Sequence, residues 1–490
     1  MQKNNGLKIL FVSAEVSPYA KTGGLADVAG SLPQQLKAMG NDIRIVMPGY
    51  KEVKENKKYI ADFPVQMGPR KETCIVRSDF MNFNTDGKDY ELPIYFIDNY
   101  HYFDRNGIYG HFDDGERFAF FCNAVVSMLP AIGFMPDIIH LNDWHTGPVG
   151  MLLKENDEYG RIYEKTGTVF TIHNLEYQGC FPREILNFFD VPENVFTPEK
   201  VEYYGSFNFA KAGIVYCDVI NTVSEHYAGE IKTPEFGAGL DGLLRKRSSD
   251  LFGIVNGISY ARFNPARDSA IEVNYSEENY LQKYGNKSVL QREMGLPEID
   301  VPLLGLVSRL TGQKGLELIF DTIDDILKLD VQFVLLGIGD PYYENAFEDI
   351  KKRYPDQVGV YIGFNEKLAQ RIYAGSDIFL MPSRFEPCGL SQIISLRYGT
   401  IPVVRNTGGL AETIIDFNKD PENGNGFVFD DFDPQEMLNA VNRAIKLCKE
   451  QNDVWRNLVK RAIGQDFSWK NPALKYLKLY NKAINNGGGK

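Results

Sequence analysis

The sequence of 490 residues has no hydrophobic run that approaches the roughly 20 apolar residues needed to span a lipid bilayer. The apolar run near its start is far shorter than the core of a signal peptide and leads directly into a turn at Ser17 and Pro18. The six cysteines are scattered singly, without a Cys-x-x-Cys pair or the spacing of a disulfide framework. These absences predict a cytoplasmic protein with reduced thiols.

Two common nucleotide motifs are also missing. No Gly-x-Gly-x-x-Gly follows the first predicted strand, and no Gly-x-x-x-x-Gly-Lys is present. These absences argue against an NAD-dependent dehydrogenase and against a P-loop NTPase.

Metal-binding patterns are weak. His140 and His145 are five residues apart, with no acidic partner arranged to complete a tetrahedral site. Asp431 and Asp433 have the Asp-x-Asp form of a metal motif, but Asp433, followed by proline and then by Glu436, predicts the N-cap of a helix. We therefore expect no metal and no other cofactor.

Basic residues are in the minority, and the formal net charge is -12. Binding a polyanion requires a clustered basic face, so nucleic acids and membrane surfaces are unlikely partners on electrostatic grounds. A neutral polymer suits this charge better. A small anionic ligand can still bind where a few lysines or arginines lie close together.

Buried strands alternate with amphipathic helices in both halves of the chain, which is the pattern of parallel α/β domains. The predicted strands cover residues 8–16, 43–47, 94–97, 138–141, 168–172 and 219–223, and then 303–307, 333–336, 358–362, 378–381 and 402–404. A polar stretch rich in Asn and Pro, 256–302, separates the two groups. This predicts an α/β fold of two doubly wound domains, 1–255 and 256–466. Ligands bind at the carboxyl ends of such strands, so we expect an active-site cleft between the domains.

Two motifs in the first half follow predicted strands. Lys21-Thr-Gly23-Gly24 opens a helix, where backbone amides and the helix dipole favour an anion and Lys21 adds a full charge. A lone histidine such as His173 is more often a structural residue, but its position at a strand end also suits hydrogen bonds to a sugar. Trp144 offers a ring on which a sugar can stack.

Two motifs in the second half suit a phosphate ligand. Arg309 and Lys314 flank a glycine-containing turn before a helix, where cations oppose the helix dipole unless an anion lies between. Glu386 stands next to the predicted helix start at Gly389 and Leu390, so a carboxylate and amide donors lie side by side. The alternative for Glu386 is a helix-capping carboxylate.

These motifs, in the same order from Leu10 to Trp469, resemble the family of bacterial glycogen and plant starch synthases, above all in Lys21-Thr-Gly-Gly-Leu-Ala-Asp27-Val. The resemblance implies the GT-B architecture of two Rossmann-like domains, retention at the anomeric carbon, no metal, and a last segment, 467–490, that returns to the first domain. It implies a catalytic set of His173, Arg309, Lys314 and Glu386. It assigns the nucleotide sugar to Lys21, Gly23, Gly24, Asp143, Asn256, Arg309, Lys314, Phe364, Glu386, Cys388, Gly389, Leu390 and Ser391, and the acceptor to Tyr109, Trp144 and His145.

The resemblance implies transfer of glucose from a nucleotide-glucose donor to the non-reducing end of an α-1,4-glucan. ADP-glucose is favoured over UDP-glucose, although Phe364 stands where some bacterial members have Tyr beside the base. Many related retaining enzymes have a second Glu where this chain has Ile394, so front-face attack is favoured over a covalent intermediate. The alternatives are another retaining GT-B glucosyltransferase, such as a sucrose or trehalose-type synthase, and a non-catalytic glucan-binding protein.

Overall fold

The computed structural model describes residues 6–53 and 56–487. These residues divide into two compact units. The first contains the described residues up to Val223, then Ala228–Gly257 and the described residues from Trp469 onward, and the second contains Ser224–Tyr227 and Ile258–Ser468. The domain limits from the sequence, 255/256 and 466/467, stay a prediction. Residues 488–490 of the predicted returning segment, and residues 1–5, 54 and 55 of the first domain, lie outside the described residues.

The strands of the described chain alternate with helices over most of its length. They are β1 (Lys8–Val12), β2 (Asp42–Pro48), β3 (Lys58–Met67), β4 (Arg70–Thr85), β5 (Lys88–Asp98), β6 (Ile138–Asn142), β7 (Gly167–Ile172), β8 (Cys180–Pro182), β9 (Glu202–Tyr203), β10 (Ser206–Asn208), β11 (Val219–Thr222), β12 (Leu251–Gly253), β13 (Leu303–Leu310), β14 (Gln332–Gly339), β15 (Val358–Ile362), β16 (Ile378–Met381), β17 (Ile401–Arg405) and β18 (Phe427–Phe429).

The α-helices range from single turns to about five turns. They are α1 (Gly24–Ala38), α2 (Tyr100–Phe103), α3 (Asp114–Ala131), α4 (Pro148–Glu155), α5 (Asp157–Ile162), α6 (Phe209–Tyr216), α7 (Glu225–Glu230), α8 (Asp241–Lys246), α9 (Gly285–Glu293), α10 (Leu316–Leu327), α11 (Pro341–Arg353), α12 (Glu366–Gly375), α13 (Ser391–Arg397), α14 (Gly408–Thr413), α15 (Pro434–Glu450), α16 (Asn452–Gly464) and α17 (Lys470–Gly487). None of these described helices is long and apolar enough to cross a membrane.

The first unit is built on a nine-stranded sheet in the order β12-β11-β7-β6-β1-β2-β5-β4-β3. Its pairs are parallel from β12 to β5, and β4 and β3 add an antiparallel edge. Strand β1 is central, and its residues after Lys8 are all buried. Strands that follow β1 extend to one side and those from β6 onward extend to the other, so the topological switch point lies between β1 and β6.

The second unit is built on a six-stranded parallel sheet in the order β15-β14-β13-β16-β17-β18. Its central strands β13 and β16 have buried apolar residues, which is the expected composition of a parallel sheet covered by helices on both faces. Helix α10 turns an apolar side that includes Leu316, Ile319 and Ile323 into this core. The switch point lies between β13 and β16.

Every strand predicted from the sequence is present, and two differences are informative. The first strand ends at Val12 rather than Val16, because the chain leaves the sheet at Ser13, whose hydroxyl donates to the carbonyl of Glu15 at 2.7 Å. The hairpin of β3 and β4 was missed because many of its residues are exposed and it lacks a continuous apolar run.

Helix α17 packs on the sheet of the first unit. The hydroxyl of Tyr480 lies 2.8 Å from Nδ1 of His140 on β6, and that of Tyr476 hydrogen-bonds the side-chain amide of Asn221 on β11 at 3.0 Å. Both tyrosines are fully buried. The C-terminal helix is therefore part of the core of the first unit.

Candidate active site

Most of the predicted site residues lie at the carboxyl ends of strands next to the two switch points. In the first unit we call Glu15, Lys21, Tyr109, Asp143, Trp144, His145 and His173 the β1/β6 site. In the second unit we call Arg309, Lys314, Glu386, Cys388, Gly389 and Leu390 the β13/β16 site. Switch points are where open α/β sheets bind ligands, because the loops diverge there and leave a crevice.

A carboxylate that the sequence analysis did not identify organises the start of α1. Glu15 is only 4% exposed. Its Oε2 accepts from the amides of Thr22 and Gly23 at 2.5 and 3.2 Å, and its Oε1 accepts from the hydroxyls of Thr22 and Tyr109, both at 2.7 Å. The anion predicted for this helix start is therefore supplied, at these two amides, by the protein itself.

Lys21 also has an internal partner. Its ammonium group lies 2.9 Å from the carboxylate of Asp27, one turn into α1. A partly exposed ion pair of this kind contributes at most about 1 kcal/mol. The charge of Lys21 is thus only weakly held and stays available to a ligand.

Asp143 directly follows β6 in a backbone conformation with φ 57° and ψ 177°. Residues other than glycine adopt this region at a cost of about 1–3 kcal/mol, and such strain is concentrated at functional sites. Its carboxylate accepts from the amide of His173 at 2.7 Å. Burial raises the pKa of the Asp143 carboxyl to about 7. The side chain of Asp143 therefore links the carboxyl end of β6 to the carboxyl end of β7.

His173 is neutral at physiological pH, because burial lowers the pKa of its imidazole to about 3. Its Nε2 lies 3.0 Å from the side-chain oxygen of Asn142. The ring is therefore oriented by β6 and serves as a hydrogen-bonding dipole rather than as a cation.

Three aromatic rings form a continuous stack. The ring of His145 lies 4.8 Å from that of Tyr109 and 3.9 Å from that of Trp144, at interplanar angles of 25° and 29°. His145 is 5% exposed, and burial holds its imidazole pKa well below the usual value. With a ring on each side, His145 has no open face, and one face of Trp144 is occupied by His145 rather than free for a sugar.

Gly179 explains how Trp144 is enclosed from another side. This residue has φ +62°, and a Cβ there would lie 2.2 Å from Cε3 of Trp144. Only glycine permits both the backbone conformation and this close approach. The backbone at Gly179 therefore packs directly on the indole ring of Trp144.

Asn256 follows β12 in the first unit. It is 6% exposed, and its side-chain oxygen has no hydrogen-bond donor in the part of the chain that the structure describes. A buried acceptor without a partner is costly, which marks this position as one that a ligand can satisfy.

The β13/β16 site combines a buried ion pair with an open cation. The ammonium group of Lys314 lies 2.6 Å from Oε2 of Glu386, which also accepts from the hydroxyl of Ser383 at 3.0 Å. The pair is largely buried, with 14% and 8% of the two side chains exposed. Arg309 is exposed and makes no side-chain hydrogen bond or ion pair with another described residue. The predicted strand, turn and helix around it are present as β13, a 3-10 turn ending at Lys314, and α10.

The loop before α13 presents backbone donors. The amides of Gly389 and Leu390 have no acceptor among the described residues, and α13 begins one residue later, at Ser391. Gly389 has φ +68°. Cys388 is buried, and the hydroxyl of Ser391 already accepts from that of Tyr373 at 3.1 Å. The two amides are therefore the donors in this loop that are best placed for an anion.

The glycine pair Gly408 and Gly409 supports this loop. The amide of Gly409 donates to the carbonyl of Glu386 at 3.0 Å. A Cβ at Gly408 would lie 1.9 Å from the same carbonyl oxygen, and one at Gly409 would lie 2.1 Å from that of Cys388. The pair allows two backbones to touch and so fixes the position of Glu386.

Phe364 lies between β15 and α12, and 71% of its side chain is exposed. Tyr361, at the end of β15, is 42% exposed. An exposed phenylalanine on the ligand side of a parallel sheet leaves a flat ring face for a planar group.

In the Asp-x-Asp motif of Asp431 and Asp433, Asp433 caps a helix, as predicted. The carboxylate of Asp433 accepts from the amides of Gln435 and Glu436 at 2.8 and 3.1 Å, and Pro434 is the first residue of α15. Across residues 6–53 and 56–487, no three His, Cys, Asp or Glu side chains are grouped so as to hold a metal ion.

Comparison with known proteins identifies the class. A family profile for the starch synthase catalytic domain matches residues 8–246, and one for group 1 glycosyl transferases matches residues 292–461. The catalytic domain of starch synthase IV from Arabidopsis thaliana superposes with a TM-score of 0.91, at 33% identity, covering 98% of this chain and 100% of that one. Each of its two units is built on an α/β sheet whose core strands are parallel, and the protein is a glycosyltransferase of the GT-B class.

Curated relatives narrow this class. The glycogen synthase of Moorella thermoacetica is 52% identical over 481 residues, 98% of each chain. That of Desulforudis audaxviator is 50% identical, covering 98% of this chain and 97% of its own. The chain belongs to the glycogen synthase family, and the resemblance drawn from the sequence motifs is confirmed.

Proposed function

We propose that this protein transfers glucose from ADP-glucose to the non-reducing end of an α-1,4-glucan, with retention of configuration at the anomeric carbon. The observation that carries the proposal is the β13/β16 site, where Arg309 and the amides of Gly389 and Leu390 have no partner among the described residues, while the one carboxylate of the site, Glu386, is already paired with Lys314. Such a set suits the diphosphate of a nucleotide sugar.

The leaving diphosphate gains negative charge as the glycosidic bond breaks. In the proposed reaction Arg309 and Lys314 stabilise this charge, because preorganised donors stabilise a transition state without reorganisation. Lys314 already lies in a buried pair with Glu386. A phosphate that joins this pair lies between the ammonium group and the loop amides, while Glu386 keeps Lys314 in place.

Glu386 is also the proposed acceptor of hydrogen bonds from sugar or ribose hydroxyls. Its Oε2 is used by Lys314 and Ser383, which leaves Oε1 for the ligand. Its position is held from behind by Gly408 and Gly409, so the carboxylate is fixed before the donor binds.

The β1/β6 site is proposed to act on the glucosyl group and on the acceptor. Asp143 holds the chain at His173, whose neutral side chain and backbone stabilise an oxocarbenium-like state. Many related retaining enzymes have a second Glu at the position that the buried Ile394 occupies in this chain. Because this carboxylate is missing, we favour front-face attack by the acceptor 4-hydroxyl. Tyr109, Trp144 and His145 are proposed to shape the acceptor site, with His145 acting through its neighbours because both of its faces are covered.

Adenine is the proposed base. The related Arabidopsis starch synthase IV domain was solved with ADP and acarbose bound. The exposed ring of Phe364 suits stacking on a purine, but stacking alone discriminates weakly between bases. Preference for the adenine nucleotide is therefore expected to be moderate.

A donor comparison tests the proposal. The protein is supplied with glycogen and either ADP-glucose or UDP-glucose, and kcat/KM and the linkage of the product are measured by proton NMR. We expect α-1,4 products and the larger kcat/KM with ADP-glucose. A tenfold preference for UDP-glucose, about 1.4 kcal/mol, would contradict the base assignment, and a β linkage would contradict retention. Glycogen binding without transfer from either donor would favour a non-catalytic glucan-binding protein.

A further inference from the structure

Glu15 lies at the meeting point of two parts of the β1/β6 site. On one side its carboxylate accepts hydrogen bonds from the amides of Thr22 and Gly23, which belong to the turn that contains Lys21. On the other side it accepts a hydrogen bond from the hydroxyl of Tyr109, whose ring stacks on that of His145. The backbone from Thr22 to α1 and the aromatic stack are thus tied to one carboxylate.

The two oxygens of Glu15 have different partners. Oε2 accepts only backbone amides, whereas Oε1 accepts only hydroxyl groups, those of Thr22 and Tyr109. All four partners donate, and a carboxylate is the side-chain group that accepts at both oxygens. Amides at a helix N-terminus also favour a negative charge. The geometry therefore uses both the charge and the acceptor-only character of Glu15.

We propose that Glu15 is a positioning residue for glucosyl transfer, which sets the Lys21 turn and the stack of Tyr109, His145 and Trp144 in one fixed relation. Glu15 does not touch the substrates. It acts through Thr22 and Gly23 on the donor side and through Tyr109 on the acceptor side. The inference rests on the proposed function, because the reaction to be measured is transfer of glucose to a glucan.

Glu15→Gln is the sharpest change, since it keeps the shape and removes the charge. Its NH2 group cannot face the two amides, which only donate, so it must replace Oε1 and face the two hydroxyls. The hydroxyls of Thr22 and Tyr109 then have to turn and accept. We expect the Tyr109 ring to shift and kcat/KM to fall about 10²-fold, the loss expected for a displacement of about 1 Å at a reacting site.

Glu155 provides a matched control within the first unit. Its carboxylate accepts from the hydroxyl of Tyr216 at 2.7 Å and from the ammonium group of Lys200 at 2.6 Å, at the end of α4. Glu155→Gln thus also removes a partly buried carboxylate that holds a tyrosine. A loss of activity caused only by weaker folding would appear in this control as well.

The test measures kcat, the KM of each substrate and the melting temperature for Glu15→Gln, Tyr109→Phe, the double variant and Glu155→Gln. We expect Tyr109→Phe to lower kcat about tenfold and the double variant to resemble Glu15→Gln alone, because two residues that share one hydrogen bond are not additive. Glu155→Gln should keep wild-type kinetics. Additive losses, or wild-type kcat in a folded Glu15→Gln protein, would overturn the proposal.

Two further variants decide the matter if Glu15→Gln does not fold. Thr22→Val and Tyr109→Phe each remove one hydroxyl donor and leave the carboxylate in place. Because Tyr109 is itself a proposed acceptor residue, Thr22→Val decides: lowered kcat at an unchanged melting temperature supports the role of Glu15, and wild-type kcat overturns it. Wild-type protein that is inactive with both donors would instead contradict the proposed function.

Discussion

The β1/β6 site and the β13/β16 site differ in how many of their charged groups and amide donors already have internal partners. In the first, Lys21 is paired with Asp27, two amides of the α1 turn are bound to Glu15, and the carboxylate of Asp143 is bound to the His173 amide. In the second, Lys314 is paired with Glu386, but Arg309 and the amides of Gly389 and Leu390 have no partner among the described residues.

This difference indicates how the chemistry is divided. A site whose donors and charges already have internal partners is rigid, and it suits a neutral sugar that is recognised by shape and by dipoles. A site with an unpaired arginine and two unpaired amides has donors that lack an anion, and it gains most from binding one. The contrast therefore supports the proposal that the diphosphate binds in the second unit and that the residues of the first act mainly on the sugar.

The largest expected effect is loss of the cations of the β13/β16 site. Arg309→Ala and Lys314→Ala should each lower kcat about 10²–10³-fold, as removal of one donor from an oxyanion hole does. Arg384→Ala is the control, because this exposed arginine near the same loop pairs with Glu317 instead. Steady-state kinetics with glycogen as the acceptor measures the effect. Near-wild-type rates in both Arg309→Ala and Lys314→Ala would contradict the proposal that these cations stabilise the leaving diphosphate.

A smaller effect is expected for Lys21→Ala. The charge of Lys21 is already partly neutralised by Asp27, whereas Arg309 has no such partner among the described residues, so we expect only about a tenfold rise in the donor KM, or about 1.4 kcal/mol. Asp27→Asn, which frees Lys21, should not raise the donor KM by as much. If Lys21→Ala proved as damaging as Arg309→Ala, the difference between the two sites would not hold.

Acid should destabilise the first unit more than the second. Burial lowers the pKa of His140 and His173 to about 3 and that of His145 well below 6.5. Because these pKa values are depressed in the folded state, their stabilisation is present above pH 6.5 and is lost as the pH falls toward 3. Asp143, with a pKa raised to about 7, has the opposite sign between pH 7 and 4, but one carboxyl offsets only part of three imidazoles.

Hydrogen exchange at pH 7 and pH 5 measures this difference. We expect β6 and β7 to lose protection before β13 and β16, since the second unit contains one histidine, the exposed His226. In His140→Asn the loss of protection in β6 on going to pH 5 should be smaller than in wild type. Equal loss in both units would contradict the assignment of the acid sensitivity to buried histidines.

The parallel strands and their terminal motifs were predictable because they are local. Buried runs such as β13 and β16 and the glycine turns after them are visible as short patterns in the chain. The end of β1 and the hairpin of β3 and β4 were not, because their limits depend on side-chain contacts and on exposure that no local pattern carries.

The charged partners of the β1/β6 site could not be predicted for a similar reason. Glu15 and Tyr109 are 94 residues apart and meet only in the folded chain. Lys21 and Asp27 are six residues apart across a turn, a spacing that is not typical of pairs on one helix. Glu15 also fell inside the strand predicted for 8–16, which ends at Val12 in the structure, so its position before a glycine turn that favours an anion was the one signal for it.

The affinity for ADP tests the central claim most directly. Titration calorimetry with wild type, Arg309→Ala and Arg384→Ala measures how tightly the diphosphate is held without any catalytic step. Loss of one charge-assisted hydrogen bond costs about 1.5–3 kcal/mol, so we predict that Arg309→Ala raises the Kd for ADP between about 10- and 100-fold and that Arg384→Ala leaves it unchanged. An unchanged Kd in Arg309→Ala would contradict the account that the open cation of the second unit binds the donor diphosphate.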